Sequence, residues 1–302
     1  MSNSSNSSSK ALVELIAAQA VMQWRQWAQT QAIATAVPIF EVDWFLQGVT
    51  DLTALELRLG IGRPVRSAHS LDKLVALWEK RTQEALPVQY LVGKASWRDF
   101  ELIVTPAVLI PRPETEYLID LVHSLPADLQ QGPWVDLGTG SGAIALGLAD
   151  CFPEAIIHAV DQSEAALGVA RHNAAAYGFQ EKIQFYQGSW WKPLGHLRGR
   201  VSGMISNPPY IPSGMLPDLQ PEVYRHEPHS ALDGGTDGLD DIRVLVNEAP
   251  QYLVSGGIWL IEMMLGQGER VAQLLADNGQ YENIRVINDF AGGDRYVWAQ
   301  RK

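Results

Sequence analysis

The stretch that most limits the fold is Asp136-Leu137-Gly138-Thr139-Gly140-Ser141-Gly142, which overlaps the apolar run Trp134 to Leu137 and leads into a second apolar stretch, Ala143 to Cys151. Glycines at alternate positions let a backbone turn tightly and leave no Cβ in the way of a ligand. A strand, such a turn and a helix make the first unit of a doubly wound, mostly parallel α/β sheet, and the alternation continues through the chain beyond residue 109. Strands are expected at Ile156 to Val160, Ile183 to Tyr186, Val201 to Ile205, Ile258 to Glu262, Asn283 to Ile287 and Tyr296 to Ala299. Ser163 is the expected N-cap of a helix running to about Tyr177, with Gly178 as its stop. Ligands on such sheets gather beyond the carboxyl ends of strands, where strand order reverses.

Asp161 closes the strand after the glycine-rich turn, 19 residues beyond Gly142. From there a carboxylate accepts hydrogen bonds from ribose hydroxyls, so a nucleoside-bearing cofactor is expected. Dinucleotide enzymes favour G-x-G-x-x-G, with a pyrophosphate over the helix N-terminus. The D-x-G-x-G-x-G spacing here resembles instead motif I of the S-adenosylmethionine-dependent methyltransferases, and it disfavours a nicotinamide-dependent oxidoreductase.

Asn207-Pro208-Pro209-Tyr210 follows Val201 to Ile205 and Ser206 and points to methyl transfer onto a planar NH2 group. Such a nitrogen has its lone pair delocalised into a π system, so it is a poor nucleophile. An Asn side-chain oxygen and a backbone carbonyl can accept its two N–H hydrogens, holding it toward an electrophile and drawing electron density onto it. Each proline fixes its own φ near about −65° and biases the residue before it toward extended geometry, which turns carbonyls outward. Tyr210 can cover the planar group by stacking. The tetrapeptide alone suits a carboxamide and an exocyclic base amine equally, and Asn-Pro and Pro-Pro are also ordinary turn signals.

With 302 residues, 46% hydrophobic and 19% charged, the chain has material for two domains. A net charge of −11 speaks against a broad nucleic-acid footprint. Cys151 is the sole cysteine, which excludes an intramolecular disulfide and a cysteine metal cluster; it reads as buried filler, and no metal site is expected. The apolar stretch Ala11 to Val21 is interrupted by Glu14 and Gln19 and is too short for a membrane span. The polar start MSNSSNSSSK reads as a disordered tail over residues 1–9, not a signal peptide, and a soluble protein of the reducing cytoplasm is expected.

Residues 10–85 read as a small helical domain. Leu71, Leu74, Val75 and Trp78 recur at helical spacing after Ser70, Leu52, Leu55 and Leu59 do so before Gly60, and Trp24, Trp27 and Trp44 are expected in its core. From Pro87 to Val108 short extended pieces are expected, with Phe100, Leu102 and Val104 in alternation, giving a hairpin over 86–108 that joins the helical domain to a domain over 109–302.

These residues resemble one family, the release factor glutamine methyltransferases, also called the HemK or PrmC family. Beyond the two motifs above, the resemblance rests on Leu109-Ile110-Pro111-Arg112-Pro113-Glu114-Thr115-Glu116, on Glu227-Pro228 with Ala231-Leu232 and Gly235, on Gly292 to Arg295, and on the helical domain with its hairpin. It implies S-adenosyl-L-methionine as donor and, as acceptor, the glutamine of the GGQ motif in peptide chain release factors, with no DNA or membrane partner and a monomeric enzyme. By position it implies that Asp136, Gly138, Thr139, Gly140, Ser141, Gly142 and Asp161 hold the cofactor together with Asn207, and that Trp190 lies against its adenine. Asn207, Pro208, Pro209 and Tyr210 would bind the glutamine amide, with Asn207 and Pro208 as the catalytic pair. Glu114, Glu116 and Glu227 would buttress that loop or attract the sulfonium. One departure stands at Glu262-Met263-Met264-Leu265-Gly266-Gln267, where a glycine usually follows the glutamate. Two further readings stay open: an amino methyltransferase acting on DNA or RNA, and a non-catalytic release-factor-binding module.

Overall fold

The computed structural model describes residues 14–302; the tail expected over residues 1–9, and the start of the helical domain expected at residue 10, lie outside them. The chain divides into two compact units between Val92 and Gly93.

The first unit holds β1 (Glu14–Ile16), α1 (Ala18–Ala34), α2 (Phe40–Val49), α3 (Ala54–Leu59), β2 (Val65–Ser67), α4 (Leu71–Gln83) and α5 (Val88–Val92). The helices are accompanied by one small antiparallel pair, β1 with β2. Val21, Trp24, Ala28 and Ala32 form the buried stripe of α1. Trp24 stacks on Phe45 at 5.6 Å between ring centroids, and the Trp78 indole N–H donates to the Ala28 carbonyl at 3.1 Å. Trp24 is buried as expected, whereas Trp27 and Trp44 are only half-buried against the same core. The expected stripe through Leu55 and Leu59 is not buried: both are exposed, and Leu57 faces inward instead. The reason is local. The Thr53–Glu56 capping box fixes where α3 starts, and six residues are too few for a sequence stripe to fix the phase. Pro87 also departs from expectation, since it opens α5, not an extended piece. Its carbonyl accepts from the Tyr90 and Leu91 amides, and a proline suits the first turn of a helix.

The second unit begins with a hairpin, β3 (Lys94–Trp97) and β4 (Phe100–Ile103). It is tied to its own unit by Asn173, whose side chain exchanges two hydrogen bonds with the Ile103 backbone. After a 3-10 turn, Pro113–Glu116, come α6 (Tyr117–His123), α7 (Ala127–Gln131), β5 (Trp134–Leu137), α8 (Ala143–Cys151), β6 (Ile157–Asp161), α9 (Glu164–Ala176), β7 (Ile183–Gln187) and β8 (Val201–Ser206). Then follow α10 (Pro221–His226), α11 (Asp240–Glu248), β9 (Leu253–Glu262), α12 (Gly268–Asn278), β10 (Tyr281–Asn288) and β11 (Asp294–Arg301). The Ser163 side chain caps α9, as read from the sequence. Cys151, at the end of α8, is half-buried, not wholly enclosed.

Seven strands make one sheet in the order β10-β11-β9-β8-β5-β6-β7. The five strands β9-β8-β5-β6-β7 run parallel, while β11 is antiparallel to both β9 and β10. Apolar side chains cover both faces: Leu118, Ile144, Leu146 and Phe152 pack on one side, and Trp191, Leu245, Trp259 and Val271 on the other. Chain order reverses at β5, whose neighbours are β6 on one side and β8 on the other. The loops after β5 and β8 therefore leave the sheet side by side, at the place where such sheets bind ligands.

Candidate active site

The loop after β5 turns on three glycines with left-handed backbones, at φ +81° for Gly138, +54° for Gly140 and +85° for Gly142, a region that side-chain-bearing residues rarely adopt. The Gly138 and Thr139 amides both donate to the Val160 carbonyl, fastening the loop to the end of β6. Beneath it, buried Asp136 accepts from the Thr139 hydroxyl at 2.6 Å and the Ala145 amide at 3.0 Å, both through Oδ2. Its Oδ1 is buried without a hydrogen-bond partner in the protein. Burial pushes this carboxyl up to about 7, against the lowering effect of those two donors. Asp161 accepts from the Gly140 amide through Oδ2 and the Ser163 amide through Oδ1, each at 2.9 Å. Burial raises its pKa as well, and the carboxylate keeps lone-pair capacity for a ligand hydroxyl.

A cleft of ≈ 340 Å³ opens between these loops, and its walls include Gly138, Gly140, Asp161, Trp190, Asn207 and Pro209. Trp190 has a positive φ of 51°, and its ring lies 3.5 Å from where a Cβ on Gly138 would stand. Its indole N–H donates to Asp241 Oδ1 at 3.0 Å, and Asp241 also lines the cleft. Further wall comes from Ala107 to Leu109, from Pro228, Ser230 and Ala231, and from the start of α9.

The other expected residues stand outside the lining. Thr139, Ser141 and Gly142 shape the turn: the Ser141 carbonyl accepts from Asn173, and Gly142 precedes α8. Pro208 is buried. The Tyr210 hydroxyl donates to Glu262 Oε1 at 3.3 Å, and its carbonyl accepts from Gln267 at 3.0 Å. Glu227 is buried and accepts from Arg112 Nη2 at 2.6 Å and the Ile110 amide at 3.3 Å, so it braces the Leu109–Arg112 segment. Glu114 is exposed, and its backbone carbonyl accepts from the Tyr296 hydroxyl. Glu116 accepts from the Arg98 amide.

Four residues that the sequence did not single out for the site belong to this constellation. Thr115 Oγ1 donates to Glu262 Oε2 at 2.7 Å and accepts from Asn207 Nδ2 at 3.2 Å. Asp241 holds Trp190, and Gln267 holds Tyr210. Glu262 carried the clearest signal, a carboxylate ending an apolar strand of a parallel sheet. Beyond it Met264 has no left-handed backbone and Gly266 has one at φ +88°, and the Gly266 and Gly268 amides both donate to Asp294. Among the described residues no group of three or more His, Cys, Asp or Glu side chains could hold a metal ion, and no helix is long and apolar enough to cross a membrane.

A family model described as the methyltransferase small domain matches residues 118–216. The release factor glutamine methyltransferase of Synechocystis sp. is 49% identical over 284 residues, covering 92% of this chain and 95% of that one. The enzyme of the same name from Thermosynechococcus vestitus is 46% identical, over 93% and 98% of the two chains. Among solved structures, the hMettl16 catalytic domain in complex with MAT2A 3′UTR hairpin 6 is similar at a TM-score of 0.56, over 85% of this chain and 88% of that one. At 12% identity that likeness is one of fold alone. The chain belongs to the release factor glutamine methyltransferase family, and it is a methyltransferase.

Proposed function

We propose, from membership of that family, that this enzyme transfers a methyl group from S-adenosyl-L-methionine to N5 of the glutamine side chain in the GGQ motif of peptide chain release factors. The observation that carries the reading is convergence: Asn207 and Pro209 of the acceptor motif wall the same cleft as Gly138, Gly140 and Asp161 of the donor motif. A cytoplasmic, monomeric enzyme is the setting this reading assumes.

The residues present fit the donor. Glycines at 138 and 140 leave bare backbone for close approach, Asp161 has lone pairs for ribose hydroxyls, and Trp190 offers a flat apolar face. The orphaned Asp136 Oδ1 below the loop calls for a hydrogen-bond donor, either a ligand ammonium or a water that bridges to one. When bound, S-adenosylmethionine supplies a methyl group on positively charged sulfur.

The acceptor side is the work of the chain itself. Asn207 Oδ1 and the Pro208 carbonyl accept the two N–H hydrogens of the glutamine amide and hold its nitrogen toward the donor. As that nitrogen takes up the methyl it becomes more positive, so both acceptors bind it more strongly in the transition state than in the ground state. The surplus proton leaves to water, with no strong general base required.

The direct test incubates the protein with labelled donor and purified release factor and locates the label by mass spectrometry. A single methylated glutamine in the GGQ motif is expected. Label on nucleic acid instead, or tight factor binding without turnover, would overturn the reading. In the same assay Asn207→Ala is expected to abolish transfer while donor affinity, measured by calorimetry, stays near wild type.

A further inference from the structure

An asparagine amide is nearly symmetric in shape but opposite in hydrogen-bonding sense at its two ends, so a half-turn about its last bond exchanges acceptor for donor. Only one of the two orientations of Asn207 can accept an N–H from an incoming amide. What selects it lies behind the cleft. The Thr115 hydroxyl proton is committed to Glu262 Oε2 at 2.7 Å, so toward Asn207, 3.2 Å away, Thr115 can only accept. The second Glu262 oxygen accepts from the Tyr210 hydroxyl at 3.3 Å. Thr115 and Glu262 are both buried, out of reach of bulk water that would offer other partners. A carboxylate accepts and never donates, and that sense passes along the chain of bonds to Asn207.

We propose that Glu262 and Thr115 are positioning residues that lock the Asn207 amide with Nδ2 inward and Oδ1 toward the acceptor, through a one-way chain of hydrogen bonds from amide to hydroxyl to carboxylate. This deepens the reading of Asn207 as the hydrogen-bond acceptor for the substrate amide and rests on it. Protonation of Glu262 releases the lock. A neutral carboxyl can donate to Thr115, whose hydroxyl can then donate to Asn207 Oδ1 and turn the amide round.

Burial pushes Glu262 up to about 7. The Thr115 bond, the Arg295 guanidinium of β11 and the Tyr210 bond hold it down, while Glu114 pushes it higher; the Tyr296 hydroxyl, itself raised by burial, also feels its charge. The lock is therefore present above about pH 7 and lost as the pH falls through that value.

Two measurements test this. In turnover, Thr115→Val keeps the side-chain volume without the hydroxyl and is expected to lower kcat about tenfold or more with donor affinity unchanged. Thr115→Ser, which retains the hydroxyl, recovers most of the loss, and Glu262→Gln loses the acid limb of the kcat profile near pH 7. Wild-type kcat in Thr115→Val overturns the lock. The second measurement needs no acceptor: the side-chain NH2 resonance of Asn207, in protein labelled with 15N-asparagine, is followed against pH. It is expected to titrate near pH 7 in the wild type and to stop doing so in both Thr115→Val and Glu262→Gln. A resonance that does not titrate in the wild type, or titrates unchanged in Thr115→Val, overturns the lock whether or not any release factor is methylated. If the titration behaves as expected and no release factor is methylated, the functional reading fails and the lock stands.

Discussion

Asp136 is a carboxylate placed where a charge is costly, wholly enclosed and with one oxygen unpartnered. Its carboxyl, raised to about 7 by burial, keeps its proton in the folded chain over a pH range where the unfolded chain has lost it. Folding stability from this group is therefore fully present below the ordinary carboxylate range, falls as pH rises from there to about 7, and levels off above that. Glu262 acts in the same direction. Thermal melts of the donor-free protein should show a midpoint that drops between about pH 5 and pH 8, and Asp136→Asn should remove part of that drop. The same substitution should weaken donor binding, read by calorimetry, because it replaces the acceptor at Oδ1 or removes its charge. A variant with an unchanged pH slope would mean that Asp136 is ionised at little cost. Conformation at single residues matters as well. A Cβ at Gly203 would come within 2.4 Å of the Trp134 ring across the β5–β8 pair, so Gly203→Ala should cost roughly 1–3 kcal/mol of stability through overpacking, measurable by denaturant unfolding.

Among elements, the clamp between Arg112 and Glu227 joins two stretches that each lead to a wall of the cleft, the Ala107–Leu109 segment and the Pro228–Ala231 turn. Glu227 is almost fully enclosed and Arg112 about a third exposed, so Arg112→Ala strands a buried carboxylate and the two walls lose their tie. Donor affinity should fall about tenfold, with turnover at saturating donor much less affected. Burial already raises the Glu227 pKa and Arg112 opposes it; without the arginine it rises further, and lowering the pH should restore part of the lost affinity. Unchanged donor affinity in that variant would show that the walls stand without the clamp. The clamp also illustrates what sequence patterns carry. The glycine-rich turn, the capped helix after Ser163 and the alternating strands were legible because their signals are local: backbone freedom, a side-chain cap and hydrophobic period. The Thr115–Glu262 contact spans 147 residues, and Glu262 stands near Asn207 because β9 lies beside β8, a strand order that no local period encodes. Short elements failed for the opposite reason. With α3 only six residues long, Leu55 and Leu59 mimicked a buried stripe that the capping box had already turned outward.

For the whole molecule, a net charge of −11 sets a field that attracts basic partners and repels nucleic acid phosphates. If release factors are steered by that field, KM for the factor should rise several-fold between about 50 mM and 300 mM salt while kcat changes little, since screening acts beyond about 10 Å at 0.1 M. A salt-independent KM would argue for contact without steering. The sheet order has a consequence of another kind. β11, residues 294–301, lies inside the sheet between β9 and β10, and β10 pairs with no other strand. A nascent chain that has already emerged as far as β9 must wait for β11 before that side of the sheet can close. Until then the edge of β9 is bare to any passing strand. A chain cut short before residue 294 would keep that edge bare for good, and its soluble fraction should fall below that of the full chain.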